Sequence, residues 1–228
     1  MKKILLFLLL LPIIFFIIFV VFLTISMMPT KGRRISHYDD PQKAFLVIDI
    51  QRDFTAPAAR PPFPYEKAGE LIAVLNELTG SAKQENVKVI YLRQEFSGLF
   101  GEIFSKIFCK GKGIKGNPGT GFDDRLLIVS DHVFTKPKGD AFSNPVFEAF
   151  LIEHQIDELY LSGLDAEFCV YHTAKGAVNR GYRVNILTDA ILLLNEKKWD
   201  RVMEKYEKYG IILMSSQEFL MAIGVDSM

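Results

Sequence analysis

The chain has 228 residues, 27 of them basic and 27 acidic, for a formal net charge of zero. That balance excludes a basic nucleic-acid coat and an acidic solvating tail, and 49% hydrophobic residues exclude a disordered chain. Two cysteines exclude a disulfide scaffold and provide no CxxC zinc spacing.

The average conceals a division near residue 34. Ile4 to Leu23 is a run of twenty residues whose one non-hydrophobic member is Pro12. A membrane anchor needs about 20 apolar residues to cross roughly 30 Å of hydrocarbon, so the length suits a retained anchor. The alternative is a cleaved signal peptide with Lys2 and Lys3 as its basic start, but no A-x-A cleavage site follows. Residues 1–28 are therefore expected to be a single hydrophobic membrane helix, with 29–42 as a linker and one domain from 43 to 228. Lys2 and Lys3 face Lys31, Arg33 and Arg34 across the run, so the positive-inside bias is almost balanced. The very short basic leader inclines the reading toward an extracytoplasmic domain. Without these five bases, residues 35–228 are acidic by five charges.

In chain order, Ser36 to Lys43 is polar and holds Pro41. Ala44 to Ile50 is a short apolar run, as expected of a buried parallel strand. Tyr65 to Gln84 carries a helical stripe of Leu71, Ile72, Val74, Leu75 and Leu78. Val87 to Leu92 reads as a second strand. Residues 94–122 are rich in Gly, Lys and Phe with no steady period, so they read as a long loop of the kind that forms lids. Leu126 to Val129 and His132 to Thr135 read as short strands, and Val146 to His154 as a helix. Glu158 to Ser162 is a strand, Phe168 to Arg180 a helix ended by Gly181, and Tyr182 to Leu187 another strand. Lys197 to Lys208 is a helix, Ile211 to Met214 a strand, and Ser215 to Ile223 a last helix capped by a serine. The alternation predicts a three-layer α/β sandwich with a mainly parallel central sheet.

In such a sheet, ligands bind beyond the carboxyl ends of the strands. Those ends present Asp49, Arg93, Lys136, the turn from Gly163 to Cys169, and Asp189. Cys169 opens a predicted helix, where the positive end of the dipole favours a thiolate and should hold the pKa below its free value of about 8.5. Asp49 can accept the thiol proton, and Lys136 can stabilise either negative charge. A buried structural cysteine beside a structural ion pair is the plainer alternative.

Three blocks sit at strand ends: Asp49-Ile50-Gln51-Arg52-Asp53-Phe54, the stretch from Phe134 to Phe142, and Gly163-Leu164-Asp165-Ala166-Glu167-Phe168-Cys169-Val170. Together and in this order they resemble the isochorismatase-like cysteine hydrolases, which include nicotinamidases and N-carbamoylsarcosine amidases. The resemblance implies Asp49 as general base, Lys136 as triad lysine and Cys169 as nucleophile. It implies a cis peptide between Asp165 and Ala166, an oxyanion hole made by the backbone N–H groups of Ala166 and Cys169, and a substrate pocket lined by Phe54, Ala141 and Phe142. The function it implies is a membrane-tethered cysteine hydrolase that cleaves the C–N bond of a small amide-like molecule through a thioester. An ether-cleaving isochorismatase-type hydrolase and a non-catalytic anchored binding protein are the alternatives.

One departure concerns metal. Nicotinamidases of this kind hold a metal with an Asp-x-His pair and a further histidine, yet residues 55–100 contain no histidine here. No metal and no other cofactor is expected. The expected partners are the small substrate and, through the first helix, a membrane; nucleic acid is not expected, and self-association is left open. Cys109 reads as an incidental thiol, although an extracellular domain would permit a Cys109–Cys169 disulfide. His172 reads as a packing or surface residue.

Overall fold

The computed structural model describes residues 2–26, 28–59, 63 and 65–225, with side chains of the first helix described from Leu10 to Ile25. Strands β1 (Gln42–Ile48), β2 (Lys88–Gln94), β3 (Val133–Lys136), β4 (Ile156–Gly163), β5 (Arg183–Ile191) and β6 (Ile212–Met214) form one parallel sheet. Its order is β3-β2-β1-β4-β5-β6. Between them run α1 (Lys2–Ser26), α2 (Arg52–Thr55), α3 (Ala68–Gln84), α4 (Gly98–Phe108), α5 (Pro145–Glu153), α6 (Cys169–Arg180), α7 (Trp199–Lys208) and α8 (Ser216–Ile223).

The continuous apolar run of β1 follows from its central position. Ala44, Leu46 and Ile48 point into one core with Phe147, Leu151, Val170 and Tyr206 of α5, α6 and α7. Phe45 and Val47 point into the other, with Leu71, Leu75 and Phe219 of α3 and α8. Both faces of the strand are covered, so no polar alternation survives. The strand order reverses between β1 and β4, which opens a crevice at their carboxyl ends.

Three local expectations are corrected. The stretch 94–122 contains a helix, α4. Its Phe100, Ile103, Phe104, Ile107 and Phe108 recur at helical spacing, a signal swamped by the glycines after it. Leu126 to Val129 is not a strand; the Tyr91 hydroxyl donates to Leu127 O and accepts from Val129 N, which fixes the segment without a ladder. Part of the expected linker lies against the domain. Thr30 donates from its N–H and hydroxyl to Asp140, and Ile35 N–H donates to Arg180 O.

Helix α1 leaves many apolar side chains exposed, Phe16 at 64% and Ile17 at 55% among them. It touches the domain where Phe15 and Phe22 stack on Phe100 of α4, with ring centroids 5.9 and 5.3 Å apart. Among the described residues, no helix is long and apolar enough to cross a membrane.

Gly163 ends β4 with φ +106°, and a Cβ there would strike the backbone of Ile48. Gly80, inside α3, faces open space. Gly163→Ala should therefore cost about 3 kcal/mol or more, from strain plus displaced backbone. Gly80→Ala should stabilise by about 0.5–1 kcal/mol through helix propensity. Urea denaturation midpoints that moved together would contradict this difference between the two glycines.

Candidate active site

The site is assembled by four adjacent strands. After β1 the chain turns at Asp49, which takes the left-handed conformation with φ +60°. β2 ends on Gln94 and β3 on Lys136, the two being register partners. The Lys136 ammonium, fully buried, lies 2.8 Å from Asp49 Oδ2 and 2.7 Å from Gln94 Oε1. Gln94 is thus a second acceptor for the ammonium and also donates from Nε2 to Lys136 O at 2.9 Å. Buried Gln51 clamps this residue in turn, accepting from Gln94 N–H and donating to Gln94 O.

Sequence reasoning assigned the second strand end to Arg93 and missed Gln94 and Gln51. Strand alternation is the signal that separates the two neighbours. Arg93 faces the other way, toward Glu95 and the Phe122 ring.

β4 delivers the turn that precedes α6. The cis peptide lies between Leu164 and Asp165, one bond earlier than expected. Asp165 holds the turn together. Its carboxylate accepts from Glu167 N–H, Leu194 N–H and the Tyr65 hydroxyl. The Ala166 N–H donates to Leu192 O and is therefore not free for an oxyanion, which corrects that expectation. Among the described residues, the N–H groups of Asp165 and Cys169 have no acceptor in the protein.

Cys169 Sγ lies 4.0 Å from Gln94 Oε1. Asp49 Oδ1 is buried without a hydrogen-bond partner, although the thiol is close enough to influence the carboxyl. Cys169, Asp49 and Gln94 all open into one cavity of about 440 Å³. Phe54 lines this cavity as expected, whereas Ala141 and Phe142 do not. The capping of a short turn by Asp140 swings these two into the core, where Phe142 packs on Phe147, Tyr182 and the Arg180 guanidinium. Pro137, Lys138 and Gly139 form that part of the wall instead.

His172 and Cys109 also line the cavity, which composition alone did not reveal. His172 stands one turn after Cys169, a spacing that puts two residues on one helix face. Both cysteines are free thiols.

Burial pushes the Asp49 carboxyl above its ordinary value, against the pull of Lys136. Burial lowers Lys136, but Asp49 and Cys169 outweigh it and carry the ammonium upward, so it stays charged. Burial also drives the Cys169 thiol well up; Lys136 opposes this and Asp49 adds to it. The direction is opposite to the low thiol pKa expected, since desolvation outweighs the pull of Lys136. Burial raises Cys109 to about 11 and lowers His172 to about 4, so His172 is neutral at neutral pH.

The described residues do not fit a metal. The Asp53 carboxylate accepts from Gly113 N–H and packs against Gly119. Among the described residues, no three His, Cys, Asp or Glu side chains gather to hold an ion.

The electrostatics give a measurable consequence. Iodoacetamide should alkylate Cys169 at a rate that keeps rising through and beyond the free-thiol pKa of about 8.5. A plateau reached near pH 7 would show a thiolate at rest and contradict the protonated ground state.

Residues 43–218 match the isochorismatase domain family. An uncharacterised isochorismatase family protein of Bacillus subtilis is 32% identical over 166 residues, covering 68% of this chain and 89% of its own. A nicotinamidase of Escherichia coli is 24% identical over 190 residues, covering 70% of this chain and 87% of its own. Among solved structures, an isochorismatase family protein of Desulfovibrio vulgaris superposes with a TM-score of 0.71 at 22% identity, covering 81% of this chain and 99% of its own. With the matched domain running from the start of β1 into α8, this chain belongs to the isochorismatase family.

Proposed function

We propose that the chain is a cysteine amidohydrolase that cleaves the C–N bond of an amide through a thioester on Cys169. The observation that carries this reading is that a thiol and a buried carboxyl with an unpartnered oxygen line one cavity, while a charged lysine behind the wall holds the other oxygen of that carboxyl. The nicotinamidase relative hydrolyses an amide, as its name states, and supports the same bond class.

In the first step, sulfur attacks the amide carbonyl carbon while Asp49 takes the thiol proton. Attack and proton transfer occur together because the thiol is neutral at rest. The N–H groups of Asp165 and Cys169 receive the developing oxyanion, a contribution typically worth about 3–4 kcal/mol per donor. Collapse breaks the C–N bond, and the proton held by Asp49 passes to the departing nitrogen. In the second step, water attacks the thioester while Asp49 takes one of its protons. The C–S bond breaks, the acid leaves, and the proton returns to sulfur. Lys136 stays protonated throughout and offsets the negative charge shared by Asp49 and Cys169. Gln94 fixes the distance between that charge and the sulfur.

We further propose that the N-terminal helix tethers this domain to a membrane. The twenty-residue apolar run and the exposed apolar flank of α1 support the tether.

Acid quenching during turnover should trap an acyl adduct on Cys169 by intact-mass analysis, absent in Cys169→Ala. Asp49→Asn should lower its rate of formation by at least about 10²-fold, the usual worth of a general base. An adduct on Cys109, or undiminished rates without Asp49, would overturn the assignment.

A further inference from the structure

We infer that the substrate is a lipophilic amide, one whose carbonyl carries a long alkyl or aryl substituent that lies along an aromatic channel between the nucleophile and α1. The inference rests on the amidohydrolase reading above and names the substrate class for that site.

The first observation is the composition of the wall. Beyond the turn that carries Cys169 the cavity is bounded by Phe63, Phe96, Phe104, Phe108 and, from the first helix, Phe22. Phe96, Phe104 and Phe108 form a consecutive row of tilted rings, with centroids 5.3 and 5.0 Å apart. A volume of about 440 Å³ falls within the roughly 300–1,000 Å³ of sites that bury drug-sized ligands.

The second observation is that most polar groups in the wall are already taken by the protein. The Asp165 carboxylate is filled by three donors. Gln94 spends its oxygen on Lys136 Nζ and its nitrogen on Lys136 O. Besides the reacting groups, Lys138 and the neutral His172 are the polar side chains lining the wall without a hydrogen-bond partner among the described residues. A small polar amide would find few partners beyond the reacting atoms. An apolar substituent leaves none of its own atoms unsatisfied and gains by transfer from water.

The third observation is continuity with an apolar exterior. Leu99, Ile107 and Phe108 of α4 are 66%, 55% and 53% exposed, and the same helix receives Phe15 and Phe22 of α1. Phe22 and Leu23 belong to both α1 and the cavity wall. The channel therefore opens beside the most apolar surface of the chain, where a lipophilic substrate concentrates.

The test uses the full-length protein in phosphatidylcholine vesicles, with primary amides from acetamide to dodecanamide and ammonia release as the readout. kcat/KM should rise with chain length, by up to about fourfold per methylene, the worth of one buried methylene. In Phe108→Glu the ratio of dodecanamide to propanamide turnover should fall at least tenfold. The milder Phe108→Ala should shift it in the same direction, and because each ratio is compared in identical vesicles, partitioning of the amide cancels. Faster turnover of short or acidic amides, or ratios unchanged in both variants, would overturn the lipophilic class and leave the amidohydrolase reading standing. No ammonia at any length, with Cys169 free of acyl adduct, would overturn that reading and the substrate class with it.

Discussion

The structure depends on one buried ion pair. Lys136 and Asp49 meet with almost no solvent contact, and their attraction must repay the desolvation of both charges. Removing either partner from such a pair typically costs about 3–5 kcal/mol, because the other charge is left buried and alone. The sheet makes the pair possible. β3, β2 and β1 are neighbours in a fixed parallel register, so Lys136, Gln94 and Asp49 end side by side. A one-residue slip of β2 would exchange the neutral Gln94 for Arg93 and set two cations beside one carboxylate. β4 supplies Cys169 from the other side of β1, across the point where the strand order reverses.

The pair also determines what kind of nucleophile the cysteine is. A helix terminus and a lysine are the usual means of making a thiolate. Here desolvation and the nearby carboxylate outweigh the lysine, and the thiol keeps its proton. A protonated thiol beside an unpartnered carboxylate oxygen is arranged for proton transfer at the moment of attack, not for standing nucleophilicity. It also protects a sulfur that shares its cavity with a second thiol, Cys109.

Much of the fold was legible because strand and helix periods alternate clearly from Ala44 to Ile223. The strand ends and the turn after β4 make Asp49, Lys136 and Cys169 legible in the sequence. The failures have separate physical causes. Helix α4 was hidden because Gly111, Gly113 and Gly116 follow it so closely that its apolar repeat was averaged away. Leu126 to Val129 has strand composition but is held by the Tyr91 hydroxyl instead of a neighbouring strand. Ala141 and Phe142 were drawn to the pocket by resemblance, whereas Asp140 turns them inward. The oxyanion donor and the cis bond were each placed one residue late, an error that a motif without backbone geometry cannot detect. Gln94 and Gln51 carry no catalytic signature in sequence, since one only accepts from the buried ammonium and the other only clamps the first.

Burial and Lys136 together set the charge of Asp49. That balance is tested most directly by following the ¹³Cγ resonance of Asp49, assigned by its loss in Asp49→Asn, through a pH titration of the resting protein. The carboxyl should titrate above the free aspartate value of about 3.9, because its folded pKa is raised. As a base it should then be competent only above that raised midpoint. A midpoint at or below about 3.9 would mean that Lys136 outweighs burial, and the electrostatic basis assigned to Cys169 would be wrong.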